Sequence, residues 1–140
     1  MVTLIGMGSG RWEALSVQAQ DAVRRAGLVF GAKRLLAGLP PECTARQFAL
    51  YQPVEILETL AQAPGQDAAV LYSGDTGFYS GASGLLTPLR ALGIPARVYP
   101  GVSSIQLLAA ALGRPWQDWK LVSAHGCACD PVAQCMTERS

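Results

Sequence analysis

Apolar residues in this sequence fall into short continuous runs, separated by segments in which they recur at helical spacing. Continuous runs of this length, some ending at a glycine, are typical of strands buried on both faces of a parallel sheet. We predict strands over residues 2–6, 28–30, 48–51, 68–72, 96–99 and 121–124.

The segments between these runs have helical periodicity and recognisable ends. Residues 15–26 repeat apolar positions on one face, with Ser16 placed to cap the helix and Gly27 to end it. A second helix opens at Pro53, a residue favoured at the first helical position. Its expected buried face carries Val54, Leu57, Leu60 and Ala61. Further helices are predicted over residues 85–92 and 105–112, each followed by a glycine.

Alternation of strands and helices predicts an α/β fold, a mostly parallel open sheet flanked by helices. In such sheets, ligands bind beyond the carboxyl ends of the strands. Three glycine-containing segments follow predicted strands: residues 6–10 (the first turn), 73–81 (the second turn) and 100–104 (the third turn). We therefore expect a small-molecule cleft where these turns meet.

The second turn contains the most residues that could bind a ligand. Gly74 and Gly77 let backbone approach a ligand, and Asp75 offers a carboxylate that either accepts from ligand hydroxyls or an amine, or caps the following helix. Phe78 either walls a flat ligand or joins the core. In the third turn, helix capping accounts for at least one of two adjacent serines.

A dinucleotide site is disfavoured in the first turn. The phosphate-binding fingerprint places its third glycine where Arg11 stands, and an acidic residue where the sequence reads Gly31-Ala32-Lys33. A tight strand-to-loop turn accounts for the glycines better.

Composition and net charge narrow the class of protein and the partners that it could bind. The 140 residues are 50% hydrophobic and 15% charged, as in one packed domain, and a net charge of +1 gives no basic stripe for a nucleic acid. The N-terminus lacks a basic leader, and no uncharged apolar stretch reaches the roughly 18 residues that cross a bilayer. We expect a cytoplasmic protein with neither a membrane nor a nucleic-acid partner.

The cysteines raise the question of a metal. Cys43, Cys127, Cys129 and Cys135 are expected to be reduced thiols. His125 with the last three would complete a Cys3His set, but Cys-x-Cys is tighter than the usual zinc spacing. No metal is predicted.

Four segments, taken in order, resemble the tetrapyrrole methylases. They are Leu-Ile-Gly-Met-Gly at residues 4–8, Ser-Gly-Asp-Thr-Gly-Phe-Tyr-Ser-Gly-Ala at 73–82, Pro-Gly-Val-Ser-Ser-Ile-Gln at 100–106, and Trp-x-Asp with Ser-x-His-Gly at 116–126. The chain is most similar to the branch that methylates C5 of cobalt-precorrin-7 or precorrin-6Y in cobalamin biosynthesis. The resemblance covers residues 2–126.

The resemblance implies a two-lobe methyltransferase that binds S-adenosylmethionine between its lobes. Residues 1–124 would form the first lobe and residues 125–140 the start of a truncated second lobe. The residues expected to line the cofactor are Gly8, Ser9, Gly74, Asp75, Gly77, Phe78, Ser103, Ser104 and Ile105. No catalytic residue is predicted, since a sulfonium methyl is already activated and positioning alone can supply roughly 7 to 11 kcal/mol of a barrier.

Two departures from the family pattern stand out. Thr76 replaces a usual proline, and Cys127 replaces a common arginine. The family also continues into a second lobe, which puts independent activity of these residues in question.

Other readings stay open beside this one. If the chain is a methyltransferase of this fold, the alternative acceptors of the methyl group are uroporphyrinogen, diphthine and ribosomal RNA. If it is not a methyltransferase, the alternative is a nucleotide-binding module without catalysis. The expected partners are a precorrin or cobalt-precorrin macrocycle and either a second copy of the chain or a decarboxylating methyltransferase.

Overall fold

The computed structural model describes residues 1–75, 81–115, 117 and 119. Within these residues, five strands form one parallel sheet. They are β1 (Val2–Gly6), β2 (Leu28–Phe30), β3 (Arg46–Phe48), β4 (Ala68–Tyr72) and β5 (Ala96–Tyr99). The order across the sheet is β3-β2-β4-β1-β5. In β1, Gly6 is level with Tyr72 of β4 and Ile5 is level with Tyr99 of β5, so the carboxyl ends of these three strands lie side by side.

Helices connect the strands in the same described residues. They are α1 (Val17–Arg25), α2 (Lys33–Leu36), α3 (Pro53–Ala61), α4 (Ala82–Ala91) and α5 (Ser104–Leu112), and a single 3-10 turn covers Trp12–Ala14. The predicted cap is present, since the Ala19 N–H donates to Ser16 Oγ at 3.2 Å. Pro53 occupies the first turn of α3. Gly93 follows the end of α4 with a φ of 70°, a conformation that suits glycine at a helix end.

The chain divides into two compact units, Met1–Ser104 and Ile105–Ser140. The first contains the whole sheet, α1 to α4 and the described parts of all three turns. In the second, the structure describes α5 from Ile105 onwards and the few residues that follow it. The lobe boundary predicted between residues 124 and 125 lies outside the described residues and stays a prediction.

The first unit buries an apolar cluster on each face of its sheet. Because successive strand residues point to opposite faces, Leu4 joins the cluster covered by α3 and α4, whereas Ile5 joins the one covered by α1 and α2. The helices contribute Ile56, Leu85 and Leu89 to the former cluster and Ala19, Val23, Leu35 and Leu36 to the latter. The α/β prediction is therefore confirmed, with helices on both faces of a parallel sheet.

Three local predictions differ from the structure. The third strand occupies residues 46–48 rather than 48–51, because this edge strand exposes Arg46 and Gln47 and so lacks an apolar signature. The buried face of α3 was predicted in part: Leu57 and Leu60 pack against the core as expected. Val54 is 65% exposed, and Ile56, which was not predicted, is fully buried. Helix α2, only four residues long, was not predicted. The strand predicted over residues 121–124 lies outside the described residues.

None of the described helices is both long enough and apolar enough to cross a membrane.

Candidate functional site

The three turns meet at the carboxyl edge of the sheet because they follow neighbouring strands. The first turn follows β1, the second follows β4 and the third follows β5. Gly8 and Gly74 form an antiparallel bridge between the first two turns, each N–H donating to the other's carbonyl oxygen at 3.1 and 3.0 Å. The Met7 N–H donates to the Tyr72 carbonyl oxygen at 2.7 Å, which extends the same contact.

Backbone packs against backbone at the centre of this edge. A Cβ built on Gly6 would lie 2.6 Å from Gly101 N and 2.7 Å from Gly74 O. A Cβ built on Gly101 would overlap Gly74 O and would lie 2.6 Å from Gly6 O. Gly6 and Gly101 are therefore glycines because the turns pass too close to each other for any side chain.

Conformation, rather than close packing, explains the glycines at positions 8 and 74. Their φ angles are 59° and 67°, in the left-handed region that favours glycine. Added Cβ atoms there would meet nothing closer than 3.5 Å and 3.7 Å, at Val102 N and Ser103 Cα. The two residues present bare backbone toward the third turn.

Asp75 ties the second turn to the third. Its Oδ1 accepts a hydrogen bond from the Gly101 N–H at 3.1 Å, and the pair is partly buried. The carboxylate therefore binds backbone in the third turn, whereas sequence reasoning offered only a ligand contact or a helix cap.

Of the other predicted cofactor residues, the described ones in the first unit lie on or beside this edge. Ser9 is exposed in the first turn, and Ser103 is 5% exposed immediately before α5. Ser104 is the first residue of α5 and Ile105 the second. Gly77 and Phe78 lie outside the described residues. The cofactor role of every residue in this set stays a prediction.

Sequence reasoning passed over Gly6, Gly101 and Tyr72 as site residues. A signal was present for the two glycines, since each stands where a strand ends and the chain must turn at once. What the sequence did not reveal is that these two glycines touch each other.

The sequence predicted no metal at the cysteines near the end of the chain, and the structure does not test that prediction. Among the described residues, no three potential ligands from histidine, cysteine, aspartate and glutamate lie together. Cys43 is a buried free thiol. Cys127, Cys129 and Cys135, with His125, lie outside the described residues.

Tyr72 is the last residue of β4, and the pKa of its hydroxyl is raised. Burial raises the pKa of Tyr72 to about 12, since desolvation disfavours the phenolate. The usual value for tyrosine is about 10. A pKa raised by folding means that the neutral phenol stabilises the fold fully below about pH 10, and that this contribution is lost as the pH rises through about 12.

We therefore expect the free energy of unfolding to fall from about pH 9 to about pH 11, and to fall less in Tyr72→Phe, which has no titrating group at this position. Urea unfolding followed by circular dichroism at both pH values measures the difference. Equal losses in the two proteins would contradict a buried phenol.

A family model for tetrapyrrole (corrin/porphyrin) methylases matches residues 1–138. The chain is 34% identical over 129 residues to the cobalt-precorrin-7 C(5)-methyltransferase of Salmonella typhimurium, and the alignment covers 90% of this chain and 62% of that protein. It is also 34% identical over 120 residues to the precorrin-4 C(11)-methyltransferase of Mycobacterium tuberculosis, covering 81% of this chain and 48% of the relative.

A solved structure gives the same likeness in three dimensions. It is the uroporphyrin-III C-methyltransferase of Thermus thermophilus in complex with S-adenosylhomocysteine, which matches with a TM-score of 0.62 and 25% identity. The match covers 79% of this chain and 47% of that one. This chain thus spans only about half to three fifths of the length of these proteins.

Proposed function

This chain belongs to the tetrapyrrole (corrin/porphyrin) methylases, and on that premise we propose that it forms the first lobe of an S-adenosylmethionine-dependent methyltransferase acting on a precorrin. The observation that carries the proposal is the meeting of three glycine turns at the carboxyl edge of β4, β1 and β5, where open parallel sheets bind their ligands.

The turns suit one wall of a nucleoside-containing cofactor. Gly8 and Gly74 carry no side chain, and Ser9 beside them is exposed, whereas Ser103 is only 5% exposed. Such a surface admits close approach and offers polar atoms at short range. The residues present therefore fit S-adenosylmethionine on this side, with Gly8, Ser9 and Gly74 as the proposed contacts.

When bound, S-adenosylmethionine would supply a methyl group already activated by its sulfonium. What remains for the protein is to hold donor and acceptor in line and to keep the turns fixed while it does so. The interlocked backbone around Gly6 and Gly101 provides that rigidity. We assign no acid or base, since the described part of the site contains a single carboxylate, Asp75, and that carboxylate holds Gly101.

Within the family, we propose C5 of cobalt-precorrin-7 or precorrin-6Y as the methylated position. Two observations support it: the Salmonella relative with that activity aligns with 90% of this chain, and the equally identical C(11)-methyltransferase aligns with 81%. The macrocycle is then the proposed partner, and transfer to C11 is the alternative that the same assay separates.

Calorimetric titration of the 140-residue chain with S-adenosylhomocysteine and S-adenosylmethionine tests the cofactor. We expect saturable uptake of one equivalent, and no heat of binding with NADPH. Retention of NADPH in preference to both would favour the nucleotide-binding alternative and contradict the proposal.

Transfer of a labelled methyl group tests the acceptor. The gene product, with any residues that follow these 140, is incubated with cobalt-precorrin-7 and, separately, with cobalt-precorrin-4. Label on the first substrate supports C5 transfer, whereas label on the second alone assigns the chain to another position of the macrocycle.

A further inference from the structure

The contact between Asp75 and Gly101 spans two strand spacings. Asp75 follows β4 and Gly101 follows β5, and β1 lies between these strands. Neighbouring strands are about 4.8 Å apart, so the two segments start about 10 Å apart and must converge over the end of β1 to meet. The convergence passes directly over Gly6, where a Cβ would lie 2.6 Å from Gly101 N.

The Gly101 N–H needs such a partner because the regular ladder ends before it. In β5 the pairing with β1 ends at Tyr99, and β1 itself ends at Gly6. A backbone N–H that is packed against other backbone and left unpaired is costly, and a carboxylate is among the strongest acceptors available to it. The Asp75 carboxylate thus takes the place of the next acceptor in the sheet.

We infer that Asp75 is a positioning residue, whose carboxylate fixes the third turn through the Gly101 N–H and acts on the cofactor through that turn. The inference deepens the proposed function, since it rests on the third turn forming part of the cofactor wall. It differs from a direct ionic contact with the cofactor in one respect: an acceptor oxygen is required at this place, and a negative charge is not.

Substitutions of Asp75 separate these two roles. Asp75→Asn keeps an oxygen in the same position and removes the charge, whereas Asp75→Ala removes both. Asp67→Ala is the matched control, because Asp67 precedes β4 at the opposite edge of the sheet and its side chain is 61% exposed.

The first readout needs no cofactor. Hydrogen exchange of the Gly101 amide, followed by NMR, should be slowed in the unsubstituted chain and in Asp75→Asn and Asp67→Ala. In Asp75→Ala it should be faster by about tenfold or more, which is the effect of losing a hydrogen bond to a charged group. Unchanged Gly101 exchange in Asp75→Ala would overturn the inference.

The second readout is the dissociation constant for S-adenosylhomocysteine. We expect Asp75→Ala to weaken binding by about tenfold or more and Asp75→Asn to stay within about threefold of the unsubstituted chain, since its amide oxygen accepts the same hydrogen bond. Equal, large losses in both variants would assign Asp75 a direct charged contact and overturn the inference. If Asp75→Ala does not fold, the value for Asp75→Asn decides by itself.

The two readouts also separate this inference from the proposed function. An unsubstituted chain that binds no S-adenosylhomocysteine would contradict the cofactor assignment, while the exchange of the Gly101 amide would still show whether Asp75 holds the third turn.

Discussion

Gly101→Ala is expected to lower the free energy of unfolding by about 3 kcal/mol and to abolish cofactor binding, the cost being at the upper end of that for overpacking a tight site. The added Cβ would overlap Gly74 O and lie 2.6 Å from Gly6 O. All of these atoms are backbone, so no side chain can rotate away to relieve the clash. Urea unfolding and titration with S-adenosylhomocysteine measure the two effects.

Gly84→Ala is the matched control for this substitution. Gly84 is an exposed residue within α4, where an added Cβ would meet Pro53 Cγ at an ordinary 3.7 Å. Alanine is favoured over glycine inside a helix, so this variant should gain about 0.5 to 1 kcal/mol and bind cofactor normally. A Gly101→Ala protein as stable as Gly84→Ala would show that the turns do not pack as closely as described.

Phe30→Ala is expected to cost about 3 to 5 kcal/mol of unfolding free energy, the range for removing a buried aromatic side chain. Phe30 is fully buried in the cluster beneath α3 and α4. Its ring stacks on Phe48 of the edge strand, with centroids 5.2 Å apart and planes 20° apart. The substitution therefore removes both a core side chain and an aromatic contact between β2 and β3, and denaturant titration measures the loss of unfolding free energy.

Tyr51→Ala serves as the surface comparison for Phe30→Ala. Tyr51 lies just beyond β3 and is 63% exposed. Truncation of a ring that stays in water should change the unfolding free energy by no more than about 0.5 kcal/mol. Losses of similar size in both variants would contradict the assignment of Phe30 to the core.

The sequence predicted the centre of the sheet better than its edge. β1 and β4 are buried on both faces, so nearly every position is apolar and the strands are easy to identify from the sequence. β3 pairs with a single strand, and two of its three residues are exposed and polar, so its position was displaced. The buried face of α3 was predicted correctly at Leu57 and Leu60 only, because apolar residues occur around most of that helix and tertiary packing alone selects Ile56 over Val54.

For the site, the sequence predicted which turns meet but not how they hold each other. The rule that ligands gather at carboxyl ends of parallel strands was sufficient to select the three turns. The contact between Gly6 and Gly101 joins positions far apart in sequence, and glycine has no side chain whose chemistry would indicate such a contact. The hydrogen bond from Gly101 to Asp75 is likewise invisible locally, since its acceptor lies 26 residues away.

The central place of β1 has a consequence for synthesis on the ribosome. Val2 pairs with Ala68 on one side and Ala96 on the other, so β1 is synthesised at least 60 residues before either of the strands that it pairs with. Until β4 and β5 have been translated, an apolar segment with both edges unpaired stays open to misassembly, and folding rates fall as paired segments become more distant along the chain. The glycine edge, which needs all three strands, is thus the last part of the first unit to be completed as the nascent chain grows.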